Sequence, residues 1–513
     1  MKVSDYVAEF CFQHGLRQVF TVTGGGAMHL NDSFGHHPGL NVVYNHHEQA
    51  CAMAAEGYAR MTNRPAVVNV TTGPGGINAL NGVFGAWTDS IPMLIISGQV
   101  KRETCMASYP GLKLRQLGDQ EADIIGMVKG MTKYAVMVLD PSQVRYHLKR
   151  ALYLATAGRP GPCWVDIPID VQSSTMSEEG PDFIPEAEDY YCSNTTIASL
   201  CNEIARKLLD AKRPVIMVGK GVRQADMGEV MGRIFARLKV PVVTAWTGID
   251  MIATKDPLFC GRPGDIGDRA GNFAVQNSDL LLILGTRLSL RQVSYNWKSF
   301  AREAYIIQVD TDKAEMEKPT VRIDLPIHGD LRQLLPALEK ALEQHPFPVR
   351  SHESWLEWCR ERVARYPVLQ ERHKVVKGEV INPYHFMAEL FERLSEKDSI
   401  VCANGTANVV GFQIARIHAG QRIFCNTGNA SMGFGLPAAI GVAVSDPKRR
   451  TICLEGDGSL MMNIQELQTL AYHGWPIKIF VLNNGGYASI RQSQQNFFGR
   501  LTGESRESGC VLS

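Results

Sequence analysis

Residues 451–484, TICLEGDGSLMMNIQELQTLAYHGWPIKIFVLNN, decide the fold. A short apolar run, TICLEG, leads into Gly456, Asp457 and Gly458; a helical pattern follows, and a second apolar run, IKIFVL, ends at Asn483 and Asn484. Leu460, Ile464, Leu467 and Ala471 recur at helical spacing, and His473 and Gly474 ahead of Pro476 supply a stop. The pattern predicts one βαβ unit. Its right-handed crossover makes the strands parallel and brings Asp457 and Asn484 to the same carboxyl edge, where open α/β sheets bind ligands. A carboxylate and a carboxamide are hard oxygen donors suited to Mg²⁺, which completes its octahedron with waters and phosphate oxygens. The glycines allow a phosphate to approach the backbone, and Ser459 with the first helical N–H groups offers donors to an anion. On spacing alone, a capping Asp and a chance Asn pair in a plain βαβ turn remain the alternative.

Outward from this unit the same style recurs. Between Val19 and about Asp170 the runs VFTV, NVVY, AVVNV, MLIISG and CWVDI alternate with helical patterns, and they predict a first α/β domain over residues 1–171. QSSTMSEEGPDFIPEAEDYY has neither periodicity and reads as a linker. PVIMVG, VPVVTA, DLLLILG and AYIIQVD predict a second domain over 196–340, and a charged helical stretch joins it to a third over 380–513, with SIVCAN, RIFCN and the two strands of the opening unit. The expected fold class is α/β, with three consecutive doubly wound parallel-sheet domains.

Composition agrees. A chain of 513 residues exceeds what one hydrophobic core supports, and 45% hydrophobic with 20% charged residues is a globular profile. A net charge of +1 gives no basis for binding nucleic acid or an anionic membrane. Asp5 and Glu9 interrupt what would be the apolar part of a signal peptide, and no apolar run approaches the ~20 residues of a membrane span, so a cytoplasmic protein is expected. Twelve cysteines without a CxxC pair point to reduced thiols, with Cys11, Cys51, Cys163 and Cys453 as packing residues.

A second motif, NHHEQACAMAAEGYAR at 45–60, runs from a strand end into an Ala-rich helix apolar on nearly every side, which places Glu48 near a buried helix N-terminus. This segment, together with Gly-Asp-Gly, twenty-four intervening residues and Asn-Asn, resembles the signature of thiamine diphosphate-dependent enzymes. GDGSLMMNIQEL is similar to the acetolactate synthase large-subunit branch of that family. The resemblance implies pyrimidine-binding, central and diphosphate-binding domains in that order. It implies metal ligation by Asp457, Asn484 and the Gly486 carbonyl, and cofactor contacts from Gly405, Thr406, Gly456, Gly458 and Ser459. Glu48 would contact N1′ of the aminopyrimidine and promote loss of the thiazolium C2 proton; this pairing of cofactor and protein needs no Ser/His/Asp or Cys/His arrangement. GNASMGFGLPAAIG (428–441) is similar to the segment that bends the cofactor, which makes Met432 the bending residue, and DQEAD (119–123) places Gln120 as an active-site Gln. The GGG at 24–26 is equally well read as a turn.

FAD is implied by the stretches GRPGP, FAVQNSDLLLILGTRLSLR and IIQVDTDKAEMEK, which resemble the flavin-contacting stretches of the branch at Arg159, Gly285, Arg287, Arg291 and Asp310. The family's GARFDDR is GTRLSLR here. Three positions that shape the substrate channel also depart from the pattern: Asp119, Ile169 and Ser493 replace Phe, Lys and Trp. The expected activity is decarboxylation of pyruvate and transfer of the two-carbon unit to a second 2-oxo acid, in a homodimer or dimer of dimers in which Glu48 and Asp457 serve one cofactor from different subunits, with a regulatory subunit as a further partner. Another acceptor (a keto-sugar or aldehyde), simple decarboxylation, or a non-catalytic paralogue acting by subunit association are the alternatives. The last rests on the short stretch after FFGRLTGESRESG, from which a shortened third domain is expected.

Overall fold

The uninterrupted apolar runs form strands buried on both faces, as parallel sheets flanked by helices require. A computed structural model describes residues 1–176, 180–185, 194–345, 352–374, 380–503 and 506–509. Strands β1 (Gln18–Thr21), β2 (Asn41–Tyr44), β3 (Ala66–Val70), β4 (Met93–Gln99), β5 (Tyr134–Met137) and β6 (Pro162–Pro168) make a six-stranded sheet in the order β2-β1-β3-β4-β6-β5, every neighbouring pair parallel. Strands β7 (Pro214–Val218), β8 (Val242–Thr244), β9 (Leu280–Leu284), β10 (Tyr305–Asp310) and β11 (Leu325–His328) make a parallel five-stranded sheet in the order β11-β10-β9-β7-β8. The third block contributes β12 (Ser399–Cys402), β13 (Arg422–Phe424), β14 (Thr451–Gly456) and β15 (Ile477–Leu482), with β14 running parallel between β12 and β15. Three parallel α/β sheets are thus the architecture the apolar runs predict. Strands β5 and β11 were not anticipated: both lie at sheet edges, β5 is only half-buried and β11 contains Pro326, so neither has the continuous apolar pattern of a central strand.

Two compact units divide the chain: Met1–Glu186 with Ser399–Ala407 and Cys425–Ser513, and Ala187–Asp398 with Asn408–Phe424. In the first, the Ala-rich helix Glu48–Thr62 packs against the helix Gly435–Ser445. A Cβ on Gly57 would lie 2.2 Å from the Ala438 carbonyl oxygen, and one on Gly441 would lie 1.9 Å from that of Ala54. Glycine at both positions therefore lets two backbones touch, and the core runs on from Phe20, Ile95 and Trp164 to Leu436 and Ile440. Beside it Arg60 is buried between Glu56 (2.7 Å) and Asp89 (2.5 Å), while Asn426 donates to Glu56 (3.1 Å). The second unit has its own core, built on Leu282, Ile307, Leu334 and Leu338.

The helix predicted between β14 and β15 is corrected in detail. It is two pieces, Asp457–Leu460 and Glu466–His473, and Ile464 and Leu467, expected to face the core, are 41% and 38% exposed. The cause is polar: Asn463 and Glu466 turn inward to partners on other elements and rotate the apolar residues outward. Gly474 ends the second piece with φ +65°, as a left-handed cap should. The charged stretch after the second sheet does form a helix, Glu353–Arg365, whereas much of the expected linker at 172–191 lies outside the described residues.

Among the described residues no helix is long and apolar enough to cross a membrane. The ten described cysteines are buried, and burial pushes the Cys11 and Cys163 thiols up to about 12, far from nucleophilic use.

Candidate functional site

Strands β14 and β15 end side by side, and the loops after them are tied together by Asp457. Its Oδ1 accepts the Gly458 N–H (2.8 Å), and its Oδ2 accepts those of Asn484 (3.1 Å) and Gly486 (2.8 Å). The turn that makes this possible passes through Gly485 and Gly486 at φ +75° and +101°, a region that disfavours residues with a Cβ. Arg491, one turn into the helix Ala488–Phe498, reaches back to the carbonyls of Gly485 (2.9 Å) and Asn484 (2.7 Å). The Asn484 carboxamide is exposed and has no hydrogen bond among the described residues, so its oxygen is available to a ligand. The Gly486 carbonyl accepts the Ala488 N–H (2.8 Å). Among the described residues no three His, Cys, Asp or Glu side chains are grouped to hold a metal, so a cation here would rely on the mixed set of carboxylate, carboxamide and backbone carbonyl.

Gly456 and Gly458 flank Asp457; a Cβ on Gly458 would lie 2.7 Å from the Tyr487 ring. Ser459 is used differently from expectation: its Oγ accepts the Gly433 N–H (2.9 Å), next to Met432. The Met432 segment is held from several sides. Asn426 Oδ1 accepts from the Asn429 and Ala430 N–H groups (3.1 and 3.2 Å), Asn463 Nδ2 donates to the Gly433 carbonyl (2.7 Å), and Asn404 Nδ2 donates to that of Ala430. Gly405, at φ +65°, and Thr406, the first residue of the helix Thr406–Ile414, follow Asn404 directly. Gly405, Thr406, Met432 and Ser459 are therefore linked to the loops around Asp457, with Met432 36% exposed. Glu455, just before Gly456, is buried beneath Gly435; burial raises its carboxyl to about 7 against hydrogen bonds from Ser459 and two backbone N–H groups.

Glu48 opens its helix, half-buried, behind the N-cap His47, whose Nδ1 accepts the Gln49 N–H (3.1 Å). Its Oε2 accepts from Asn78 Nδ2 (3.0 Å), and Oε1 lies 3.4 Å from where a Cβ on Gly75 would stand. One turn along, Asn81 donates to Gln49 Oε1 (3.0 Å) and to Ser431 Oγ (2.8 Å), joining the residue after Glu48 to the residue before Met432. No hydrogen bond or ion pair among the described residues connects Glu48 to Asp457 or Asn484. Gln120 is exposed at φ +62°, its carbonyl oxygen lying where a Cβ on Gly73 would fall at 1.8 Å. The GGG at 24–26 packs its first and third glycines against Thr71 and Thr72, with the Gly26 N–H donating to Thr71 Oγ1 (3.1 Å).

In the second unit the chain passes from β7 out to β8 and returns to β9 on the other side, so the ends of β7 and β9 flank a topological switch point. Gly285 follows β9 at φ +65°, its carbonyl accepting the Gly221 N–H (2.9 Å). The Arg287 guanidinium is half-buried and has no partner among the described residues, although Lys318 donates to the Arg287 carbonyl. Arg291 pairs with Asp265 (3.0 Å), and Asp310 accepts the Asp312 N–H (2.9 Å). Arg159 belongs to the first unit, where its Nε donates to Ser90 Oγ (2.8 Å).

Asn78, Asn81, Glu466 and Arg491 were not singled out by the motifs. Glu466 was visible as an acidic residue within the opening stretch, and Asn78 and Asn81 as a one-turn polar pair; nothing local named their partners.

Three family models match in succession: the thiamine pyrophosphate enzyme N-terminal TPP binding domain over residues 1–126, the central domain over 201–338 and the C-terminal TPP binding domain over 403–510. The chain is similar to the acetolactate synthase isozyme 2 large subunit of Escherichia coli (strain K12), 32% identical over 97% of this chain and 86% of the relative. It is likewise similar to a probable acetolactate synthase large subunit of Methanocaldococcus jannaschii, 32% identical over 98% of this chain and 84% of the relative. With acetolactate synthase 3, chloroplastic, of Brassica napus it shares 30% identity over 97% of this chain and 74% of the relative. Domain order, motif positions and near-complete coverage agree: the chain belongs to the thiamine pyrophosphate enzyme family, as an enzyme of its acetolactate synthase-like branch.

Proposed function

We propose that the chain is a thiamine diphosphate- and Mg²⁺-dependent carboligase that decarboxylates pyruvate and transfers the two-carbon unit to a second 2-oxo acid. The observation that carries this reading is the Asp457 carboxylate, fixed by three backbone N–H groups beside the uncommitted Asn484 carboxamide. Asp457, Asn484 and the Gly486 carbonyl would hold the metal, while Gly405, Thr406, Gly456, Gly458 and Ser459 would line the diphosphate. When bound, thiamine diphosphate supplies the electron sink that lets the carboxyl group depart as carbon dioxide. Glu48 holds and moves a proton at aminopyrimidine N1′, with Asn78 orienting its carboxylate. Met432 would pack against the cofactor, and Gln120 would contact the substrates. Two pyruvates and one proton become acetolactate and carbon dioxide: one C–C bond breaks, one forms, and the acceptor carbonyl oxygen takes the proton.

The same reading assigns residues 1–171, 196–340 and 380–513 to the pyrimidine-binding, central and diphosphate-binding domains of a cytoplasmic homodimer or dimer of dimers. The "large subunit" in the relatives' names supports a regulatory subunit as a further partner. Gly285, Arg287, Arg291 and Asp310, at the carboxyl edge of the second sheet, would hold FAD. The partnerless Arg287 guanidinium suits a phosphate oxygen of the flavin. Purified protein with flavin absorbance near 450 nm, about one per chain and lost in Arg287→Ala, is the expected result; a colourless protein that takes up no FAD rejects this part.

A second reading, in which the acceptor is a keto-sugar or aldehyde, is favoured by Ser493. It lies exposed on the helix Ala488–Phe498, its hydroxyl bonded among the described residues only to the Ser489 carbonyl (3.0 Å), and offers an acceptor more room than Trp would. Incubation with thiamine diphosphate, Mg²⁺ and pyruvate separates the two. Acetolactate from pyruvate alone supports the first reading, product only with another carbonyl supports the second, and carbon dioxide with no coupled product rejects both in favour of a decarboxylase.

A further inference from the structure

We propose that Glu466 is a positioning residue for Glu48: a buried carboxylate in the metal-loop βαβ unit that sets the turn from which Glu48 projects. This rests on the role given to Glu48 above.

Glu466 begins the second helical piece after β14 and is fully buried. Its Oε1 accepts the backbone N–H of His46 (2.9 Å), and its Oε2 accepts from Asn45 Nδ2 (2.8 Å) and Thr469 Oγ1 (2.8 Å). Asn45 and His46 are the two residues that follow β2 and precede the N-cap His47 and Glu48. Asn45 is itself buried, and among the described residues its Oδ1 has no partner, so Glu466 is the one that orients that side chain there. No Lys, Arg or His among the described residues forms an ion pair with Glu466. A buried carboxylate whose acceptors are all taken by neutral donors, two of them on one remote turn, serves to fix that turn.

The consequence falls on Glu48 because, among the described residues, its own carboxylate has a single hydrogen-bond partner, the exposed Asn78. Its position is therefore inherited from the backbone at 45–47. A displacement of about 1 Å at a proton-transferring group is enough to cost on the order of 100-fold in rate. Glu466 also belongs to the stretch that carries Asp457 and Asn484, so one βαβ unit both builds a metal loop and braces the acid that, in the expected dimer, serves the other subunit's cofactor.

The substitution Glu466→Gln keeps the shape but presents an amide N–H₂ either to the His46 N–H or to the Asn45 and Thr469 donors. Three measurements test it: hydrogen exchange of the His46 amide in cofactor-free protein, the exchange rate of the thiazolium C2 proton in thiamine diphosphate bound to intact protein with Mg²⁺, and cofactor affinity. Glu48→Gln serves as the reference for loss of the acid, and Asn45→Ala as a milder lesion in case Glu466→Gln does not fold. The expected result is His46 exchange faster by about tenfold, C2 exchange slower by about tenfold or more, and cofactor affinity within about threefold of the unsubstituted protein. Asn45→Ala moves the same way by a smaller factor. C2 exchange at the unsubstituted rate in Glu466→Gln, or in Asn45→Ala where only that variant folds, while Glu48→Gln is slow, overturns the positioning role. Unchanged C2 exchange in Glu48→Gln instead overturns the reading of Glu48, and the inference with it. Loss of cofactor affinity in parallel with C2 exchange makes Glu466 a general structural residue and also overturns the proposal.

Discussion

Asp457 and Glu48 are restrained in opposite ways. Asp457 takes three backbone N–H groups on its own loops, whereas Glu48 takes one side-chain amide from Asn78, an exposed residue on another helix. Asn78→Ala should therefore leave stability within about 0.5 kcal/mol while slowing turnover by about tenfold, read by urea denaturation beside steady-state kinetics. Asp166 makes a different prediction. Burial raises its carboxyl to about 7 in spite of hydrogen bonds from Ser97 (2.5 Å) and Gln99 (3.1 Å), against an ordinary value of 3.8. Between about pH 4 and pH 7 the unfolded chain has released this proton and the folded one has kept it. The stability Asp166 contributes is thus complete below its unfolded value and is lost as pH rises through about 7. Asp166→Asn should flatten the fall in urea midpoint between about pH 4 and pH 7, a change on the order of a few kcal/mol; an unaltered pH profile would count against it.

At the level of elements, the contact between the helices Glu48–Thr62 and Gly435–Ser445 depends on Gly57 and Gly441. Gly57→Leu should force them apart and cost about 1–3 kcal/mol, measured as a lower denaturation midpoint, because the nearest atom is backbone and cannot rotate away. How much of this was legible in the sequence differs by element. Central strands such as AVVNV and LLLIL were legible because burial on both faces demands unbroken apolar runs, while the edge strands β5 and β11 carry no such demand. The helix after Asp457 was read as continuous since Leu460, Ile464 and Leu467 keep helical spacing; the structure breaks it because Asn463 and Glu466 are the residues with buried partners. The convergence of Asp457 with the Asn484 loop was legible, since a right-handed crossover leaves few other outcomes. The links from Glu466 to Asn45, 421 positions apart, and from Asn81 to Ser431, 350 apart, are tertiary and leave no local trace.

The whole chain comprises two compact units with separate cores, and the metal-loop residues and Glu48 lie in the same one. Thermal unfolding followed by calorimetry should show more than one transition. Thiamine diphosphate with Mg²⁺, at about 100 times its dissociation constant, should raise the transition of the first unit by about 2.7 kcal/mol and leave the other nearly unmoved. The measurement that bears most directly on the central claim is calorimetric titration of thiamine diphosphate into the intact protein and into Asp457→Ala, with Mg²⁺ and with a chelator. Binding that needs the metal and weakens by more than about 100-fold in Asp457→Ala is the predicted result. Equal affinity in the variant, or undiminished binding under the chelator, would contradict the assignment of Asp457 and Asn484 as the metal-binding pair.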